Sequence, residues 1–332
     1  MKKAIITGIT GQDGSYLAKL LLDKGYKVYG AQRRNTGLKH WRLDELGITD
    51  QIEFLDFDLG EPYNIEKTMD KVQPDEFYNL AAQSFVGLSF EQPQVTTIAN
   101  SLGVLNILEV IRNKYPKTKF YQASTSEIFG KVQETPQTET TRFYPRSPYG
   151  VAKCYSHYMT VNYRESYNLF ACSGILFNHE SPMRGEEFVT RKITKGLVEY
   201  TKTGKVLELG NIEAFRDWGH AEDYVEAMWL MLQQDEPDDY VISTGRTVSI
   251  KDFITLCLDE LNIKYEFKGH EVIDENGNYI IKTNPKFFRP ADVDLLVGDN
   301  TKARHKLMWR PKHTLETMVR DMIKQDLKRW KN

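Results

Sequence analysis

A phenol and an amine stand four residues apart in Tyr149-Gly-Val-Ala-Lys153, so on a helix they share one face. A nearby ammonium favours phenolate, which suits a base that takes the proton of a substrate hydroxyl. Upstream, Ser124-Thr-Ser-Glu127 sets a hydroxyl and a carboxylate two residues apart at the end of an apolar run. Extended residues two apart point the same way, which puts Thr125 and Glu127 on one face near Tyr149. The structural alternative is a capping box, Ser124 and Glu127 satisfying the first amides of a helix. Gly130 and Pro136 follow too soon for an amphipathic helix to develop.

A third group of residues supplies a place for a cofactor. Gly8-Ile-Thr-Gly11-Gln-Asp-Gly14 follows an apolar strand and opens a helical pattern. Glycines there let the backbone approach a pyrophosphate on the amides of a helix N-terminus, so the loop predicts dinucleotide binding. A nicotinamide cation would then add to Lys153 in favouring the phenolate of Tyr149, while hydride leaves the carbon that bears the substrate hydroxyl. An NAD site usually places Asp or Glu at the end of the second strand, on the ribose 2′-hydroxyl. This chain has Gln32-Arg33-Arg34 there, two cations suited to a 2′-phosphate, so NADP is expected, with a solvated arginine pair as the alternative. Asp58-Leu59 and Leu80-Ala-Ala-Gln-Ser84 end the third and fourth strands, beside the same cofactor.

The elements that must position these residues are short apolar runs alternating with helical patterns. Strands are predicted at Lys3–Gly8, Lys27–Gln32, Ile52–Leu59, Glu76–Ala82, Lys119–Thr125, Phe170–Phe177 and Tyr240–Thr244. Helices are predicted at Ser15–Lys24, Leu102–Asn113, Val151–Tyr167, Phe188–Thr203 and Asp223–Gln234, and Asp274–Asn278 as an exposed turn. The alternation predicts an α/β fold: a doubly wound, mostly parallel Rossmann sheet with a smaller, interleaved C-terminal substrate-binding domain. A soft boundary is placed at 178, between an NADP-binding part (1–178) and a substrate-binding part (179–332), with about 206–245 partly returning to the sheet.

The chain has 332 residues, 40% apolar and 27% charged, with a formal net charge of -2. That balance gives no global pull toward nucleic acid or anionic lipid, so neither is expected as a partner. No run approaches 18 uninterrupted apolar residues, and the chain opens directly as a strand, so neither a membrane span nor a leader is expected. The three cysteines, Cys154, Cys172 and Cys257, fit neither a disulfide framework nor a metal knuckle. A cytoplasmic protein without a metal is the expectation.

With these residues in place, the chain resembles the extended short-chain dehydrogenase/reductases and, within them, the GDP-mannose 4,6-dehydratase family. Seven segments carry the resemblance: Thr7–Tyr16, Asn79–Val86, Ser124–Gly130, Ser147–Lys153, Asn178–Gly185, Phe188–Thr194 and Arg216–Gln233. After the arginine pair, Asn35-Thr-Gly-Leu departs from a common serine-rich version. The resemblance implies Thr125, Glu127, Tyr149 and Lys153 as catalytic residues, with Lys153 also on the nicotinamide ribose. Loop reading and resemblance together give cofactor contacts at Gly8, Thr10, Gly11, Gln12, Asp13, Gly14, Arg33, Asp58, Leu59, Leu80, Ala81, Ala82, Ser84, Tyr149, Lys153, His179 and Arg184. Substrate contacts are implied at Ser84, Glu127, Tyr149, Asn178, Val189, Lys192, Gly210, Arg216, Arg289 and Asp292.

The implied reaction turns GDP-mannose into GDP-4-dehydro-6-deoxy-D-mannose and water, in a homodimer or homotetramer. A dehydratase or 4-epimerase for another nucleotide sugar is the nearest rival. Glu127 argues against an epimerase, which never touches C5. Glucose-nucleotide dehydratases carry an acid where this chain has Ser126, which leaves Glu127 to protonate the leaving hydroxyl. A protein that only sensed a dinucleotide would have no use for Thr125, Glu127, Tyr149 and Lys153 together.

Overall fold

The alternation of Phe77-Tyr78 in one strand and Phe120-Tyr121 in the next shows how the central sheet is built. The two pairs lie in register, the phenylalanines packing into the apolar layer on one face and the tyrosines into the layer on the other. All four side chains are fully buried, as strands covered by helices on both faces require.

The computed structural model describes residues 1–34, 40–287 and 295–330. In chain order its first half contains β1 (Lys3–Thr7), α1 (Gln12–Asp23), β2 (Lys27–Gln32), α2 (Trp41–Glu45), β3 (Glu53–Asp56), α3 (Pro62–Val72) and β4 (Glu76–Asn79). There follow α4 (Val86–Glu91), α5 (Pro93–Thr97), α6 (Gly103–Lys114), β5 (Lys119–Ala123), α7 (Pro148–Tyr167) and β6 (Ala171–Leu176). The second half runs β7 (Asn178–Glu180), α8 (Val189–Thr203), β8 (Leu207–Leu209), β9 (Phe215–His220), α9 (Ala221–Leu232) and β10 (Asp239–Ile242). It closes with β11 (Thr247–Ser249), α10 (Ile250–Glu260), β12 (Tyr265–Lys268), β13 (Glu271–Asp274), β14 (Tyr279–Thr283), α11 (Thr301–Lys306) and α12 (Leu315–Trp330).

The seven strands expected from sequence are the seven of the main sheet. Its order is β10-β6-β5-β4-β1-β2-β3, with every neighbouring pair parallel. The chain winds outward from β1 in one direction through β2 and β3, then in the other through β4, β5 and β6. A crevice therefore opens beyond the carboxyl ends of β1 and β4, where doubly wound folds bind ligands. After β6 the chain leaves the sheet for two smaller ones, β11-β9-β7 and β12-β13-β14-β8, packed with α8, α10 and α12 around their own apolar cluster.

Several predicted elements differ at their ends, for local reasons. β4 stops at Asn79 rather than Ala82, because the hydroxyl of Thr7 accepts the amides of Leu80 and Ala81 at 3.0 Å and draws them off the ladder. α7 starts three residues before the predicted Val151, capped by Ser147, whose hydroxyl accepts the amide of Gly150, with Pro148 at its first position. The helix predicted at Leu102–Asn113 is the end of a longer helical run, Pro93–Lys114, with one wide π-turn at Ile98–Leu102. By length and composition that run could cross a membrane, but half of its most apolar stretch is buried inside this fold. Asp274–Asn278 is the turn between β13 and β14, held by the Asp274 carboxylate accepting the amides of Asn276 and Asn278.

Candidate active site

Gly8 turns the chain away from β1 with φ +69°, and a Cβ there would lie 2.9 Å from the amide nitrogen of Ala81. A Cβ on Gly14 would lie 2.3 Å from the carbonyl oxygen of Gly8. Glycine at both positions lets the loop close against the end of β4 and start α1 directly beneath it. The first amides of α1 then face the cleft without intrahelical partners. That cradle fits a dinucleotide pyrophosphate. The cleft above it measures about 1960 Å³ and is lined by Thr10, Gly11, Gln12, Asp13 and the glycines, then by Asp58, Leu59, Leu80, Ala81, Ala82 and Ser84. It is about twice the volume of a large small-molecule pocket, room for a dinucleotide and a second ligand.

Arg33 and Arg34 leave the end of β2 exposed to the same cleft. The Asp58 carboxylate accepts the amide of Gly60, and Leu59 lies so close over Gly103 that a Cβ there would come within 2.7 Å. Asn35–Leu38 lies outside the described residues, as do the predicted substrate contacts Arg289 and Asp292.

Thr125, Glu127, Tyr149 and Lys153 meet at the inner wall of this cleft. Thr125 is extended, with φ -157°, and caps a single 3₁₀ turn, Ser126–Ile128, its hydroxyl accepting the amide of Glu127 at 3.3 Å. Thr125 and Glu127 thus share the cleft through a tight turn and not through the extended alternation expected from sequence. The capping box does not form either: the buried hydroxyl of Ser124 has no partner among the described residues. Ser126 is buried and does not line the cleft.

The phenol of Tyr149 lies beside the Thr125 hydroxyl in the cleft wall. Lys153, one turn along α7, donates from Nζ to the carbonyl oxygen of Ala123 at 2.9 Å, its nitrogen 5.9 Å from the Tyr149 ring centre. Burial pushes the Lys153 ammonium down to about 8. The expectation of a tyrosine drawn toward phenolate by its lysine needs correction for the protein alone. Burial raises the Tyr149 pKa, the Thr125 hydroxyl and the Arg184 charge oppose the rise, and the Glu127 and Asp13 charges add to it. In a dry site the desolvation of a phenolate outweighs an ammonium that is engaged with a carbonyl.

A buried polar chain missed at the level of sequence supports the wall from below. Thr7 Oγ1 donates to Asn79 Oδ1 and Asn79 Nδ2 to Gln122 Oε1, both at 2.8 Å, and Gln122 Nε2 donates to the Ala123 carbonyl at 3.0 Å. It ties the ends of β1, β4 and β5 together behind Tyr149 and Lys153.

On the far wall His179 lies between two acceptors, the carbonyl of Phe177 at 2.7 Å and the Asp13 carboxylate at 2.8 Å, with its ring stacked on Tyr224. Burial alone would lower its pKa, but Asp13's charge and hydrogen bond outweigh that and raise it. The carboxyl of Asp13, which burial would raise, is held low by His179 and Arg184. Arg184 pairs with Glu180 at 3.0 Å and lies over the ring of Phe188, which meets Phe85 edge-on across the cleft.

The substrate candidates occupy the other end. Asn178 opens β7, Val189 opens α8, and Arg216 lies in β9, nearly buried, donating to the Phe215 carbonyl at 2.7 Å. Lys192 donates to the Glu208 carbonyl at 2.5 Å and stands over Phe287, and burial lowers its pKa. A Cβ on Gly210 would reach within 2.8 Å of the Phe287 carbonyl. All five line the cleft, as do His179 and Arg184. Phe85, Phe188 and Trp218 also line it and were not singled out by sequence, aromatic residues there being indistinguishable from core.

His220, Glu222 and His313 form a separate cluster, their ligating atoms within 4.8 Å of one another. The imidazoles are stacked at 4.2 Å, and Nδ1 of His220 accepts the Glu222 amide, leaving the ring proton on the buried Nε2. That arrangement caps α9 and does not converge lone pairs on a cation.

The fold and the cleft define a protein of the extended short-chain dehydrogenase/reductase class, with room in the cleft for a dinucleotide and a second ligand. Among solved structures the chain is similar to a UDP-glucose 4-epimerase from Thermotoga maritima determined with UDP-glucose, at TM-score 0.83 and 25% identity over 99% of both chains. It is also similar to a UDP-glucose 4-epimerase from Thermus thermophilus in complex with NAD, at TM-score 0.81 and 25% identity over 98% of both. A family model described as GDP-mannose 4,6 dehydratase matches residues 5–322. A GDP-mannose 4,6-dehydratase from Vibrio cholerae serotype O1 is 50% identical over 98% of this chain and 94% of the relative. The chain belongs to the GDP-mannose 4,6-dehydratase family.

Proposed function

We propose that this protein converts GDP-mannose to GDP-4-dehydro-6-deoxy-D-mannose and water, with NADP as its resident cofactor. The observation that carries the reading is the convergence of Thr125, Glu127, Tyr149 and Lys153 on one wall of a cleft that the glycine loop also lines. When bound, the nicotinamide accepts a hydride from C4 of the sugar and returns it to C6, ending each turnover as it began.

Each residue then has one task. Tyr149, held by Thr125, takes the proton of the 4-hydroxyl as C4 is oxidised. Lys153, anchored on the Ala123 carbonyl, holds the nicotinamide ribose and puts positive charge beside the phenol. The 4-ketone acidifies the C5 proton, which Glu127 removes. Glu127 then delivers that proton to the departing C6 hydroxyl, which leaves as water. The proton that Tyr149 took from O4 balances the one C5 regains when hydride reaches C6. A carboxylate at Glu127 has no work in epimerisation at C4, which favours dehydration over the rival reading.

Arg33 and Arg34, two cations at the end of β2 with no acid beside them, support NADP over NAD. GDP is held by Lys192, Arg216 and Asn178, together with Arg289 and Asp292. We place the cofactor-binding part at 1–178, joined by returning segments such as β10, and the sugar-nucleotide part at 179–332. A homodimer or homotetramer is supported by apolar side chains exposed on two neighbouring helical segments: Val95, Ile98 and Leu102 on one, Val151, Tyr155 and Tyr158 on α7. Three unbridged cysteines suit a cytoplasmic setting.

The deciding experiment incubates purified protein with GDP-mannose, first without added cofactor, and follows loss of one water by mass spectrometry. No loss, even with NADP+ supplied, would overturn the assignment.

A further inference from the structure

The glycine loop and the segment carrying Arg184 belong to different parts of the chain, yet their spacing is set by two side chains that bridge them. One is Gln12, whose Nε2 donates to the His179 carbonyl at 3.1 Å and whose Oε1 accepts from Ser181 at 2.7 Å. The other is Arg42, on the short helix α2. Its Nε donates to the Met183 carbonyl at 2.7 Å and its Nη1 to the Thr10 carbonyl at 2.9 Å. The guanidinium is braced over the ring of Trp41 at 4.4 Å, and Arg329 approaches the same ring at 5.1 Å. Arg329 in turn donates to the neighbouring Pro182 carbonyl at 2.6 Å and pairs with Glu45 at 2.8 Å. Arg42 does not line the cleft. Only a planar fork of fixed donors spans two carbonyls this way, so lysine is no substitute.

We propose that Arg42 is a positioning residue, which locks the glycine loop to the segment bearing Arg184 and so keeps the cofactor in place through turnover. Thr10 lies between the first two loop glycines, and Met183 directly precedes Arg184. One guanidinium therefore fixes the loop predicted to hold the pyrophosphate relative to the wall that flanks it. Retention matters because the hydride taken from C4 must return to C6 of the same sugar, so a cofactor that escapes after the first half strands the reaction. This kinetic consequence rests on the dehydratase reading; the binding consequence does not.

The test compares wild type, Arg42→Met, Arg42→Lys and Arg329→Met. Each is loaded with NADP+, desalted, and assayed for retained nucleotide and for NADP+ affinity, with circular dichroism melts alongside. Arg42→Met is expected to bind NADP+ about tenfold more weakly, the scale of losing one charge-assisted hydrogen bond. Its dehydration rate without added cofactor falls, and saturating NADP+ restores kcat. Arg42→Lys lies between the two, and Arg329→Met, which keeps the bond to Thr10, retains cofactor as wild type does. Wild-type retention in Arg42→Met, equal loss in Arg329→Met, or a rate that NADP+ does not restore would each overturn the proposal. Should Arg42→Met fail to fold, Arg42→Lys decides on the same readings. Nucleotide retention needs no sugar, so inactivity of every protein on GDP-mannose would sink the dehydratase reading alone.

Discussion

Lys153 and Gln122 donate to one and the same oxygen, the backbone carbonyl of Ala123, at 2.9 and 3.0 Å. The Lys153 ammonium is thereby anchored to the last residue of β5 and, through Gln122, Asn79 and Thr7, to the ends of two further strands. Its position is a property of the sheet more than of the helix that carries it.

That buried anchorage has a pH signature. The folded-state pKa of Lys153, about 8, lies below the usual lysine range, so the unfolded chain binds more protons between the two. Stability contributed by this residue is expected to rise as pH climbs from about 8 toward 10, and Lys153→Met should flatten that rise in thermal melts. Over the same interval the loss of the ammonium should weaken cofactor binding, which a titration of NADP+ affinity against pH would detect.

Glu127→Gln should separate the two halves of the reaction. Oxidation at C4 remains, visible as the absorbance of reduced nicotinamide, while release of water falls by roughly 10²–10⁴, the range for loss of a general base. A normal rate of 6-deoxy product in this variant would remove Glu127 from its role at C5.

Arg33→Ala should weaken NADP+ by about 1.5–3 kcal/mol, the scale of a charged hydrogen bond, and leave NAD+ nearly untouched. Equal losses for the two cofactors, measured by isothermal titration, would dissolve the 2′-phosphate argument.

The Asp13–His179 pair predicts a stability window. His179's contribution is full below the ordinary histidine range and fades as pH rises through its raised folded value. Asp13's is full above the ordinary aspartate range and fades as pH falls through its lowered value. Both are present from about 4 to about 6.5. His179→Gln, which takes from half-buried Asp13 its hydrogen-bonded cation and leaves it the charges of Arg184 and Lys153, should cost about 1.5–3 kcal/mol in denaturant unfolding. The double change with Asp13→Asn should cost less than His179→Gln alone.

The parallel sheet was legible because strands buried on both faces read as continuous apolar runs, as in Ala4-Ile5-Ile6 and the all-buried β6. The second half was not: β7, β8, β9 and β11 are short or depend on distant pairing, and three-residue strands carry no readable period. The helix α10 was missed although Ser249 and Asp252 form the capping box that announces it. Within the site, Tyr149 and Lys153 were singled out by their spacing at the start of a helix downstream of the glycine loop, whereas Lys192 and Arg216 came only from resemblance, since a lone cation has no pattern. Arg42 left no trace because its partners are backbone carbonyls at positions 10 and 183, which any residue could supply.

The order of strands bears on how the chain is made. β6 is buried along its whole length, and its outer edge is covered by β10, more than sixty residues later. The face bearing Tyr78, Tyr121 and Cys172 is likewise sealed by α9. A chain emerging from the ribosome has its glycine loop and catalytic helix complete long before that edge and face are closed. A fragment ending near residue 178 would therefore contain the chemistry yet present an open, apolar strand to its neighbours, and should aggregate where the whole protein stays monodisperse.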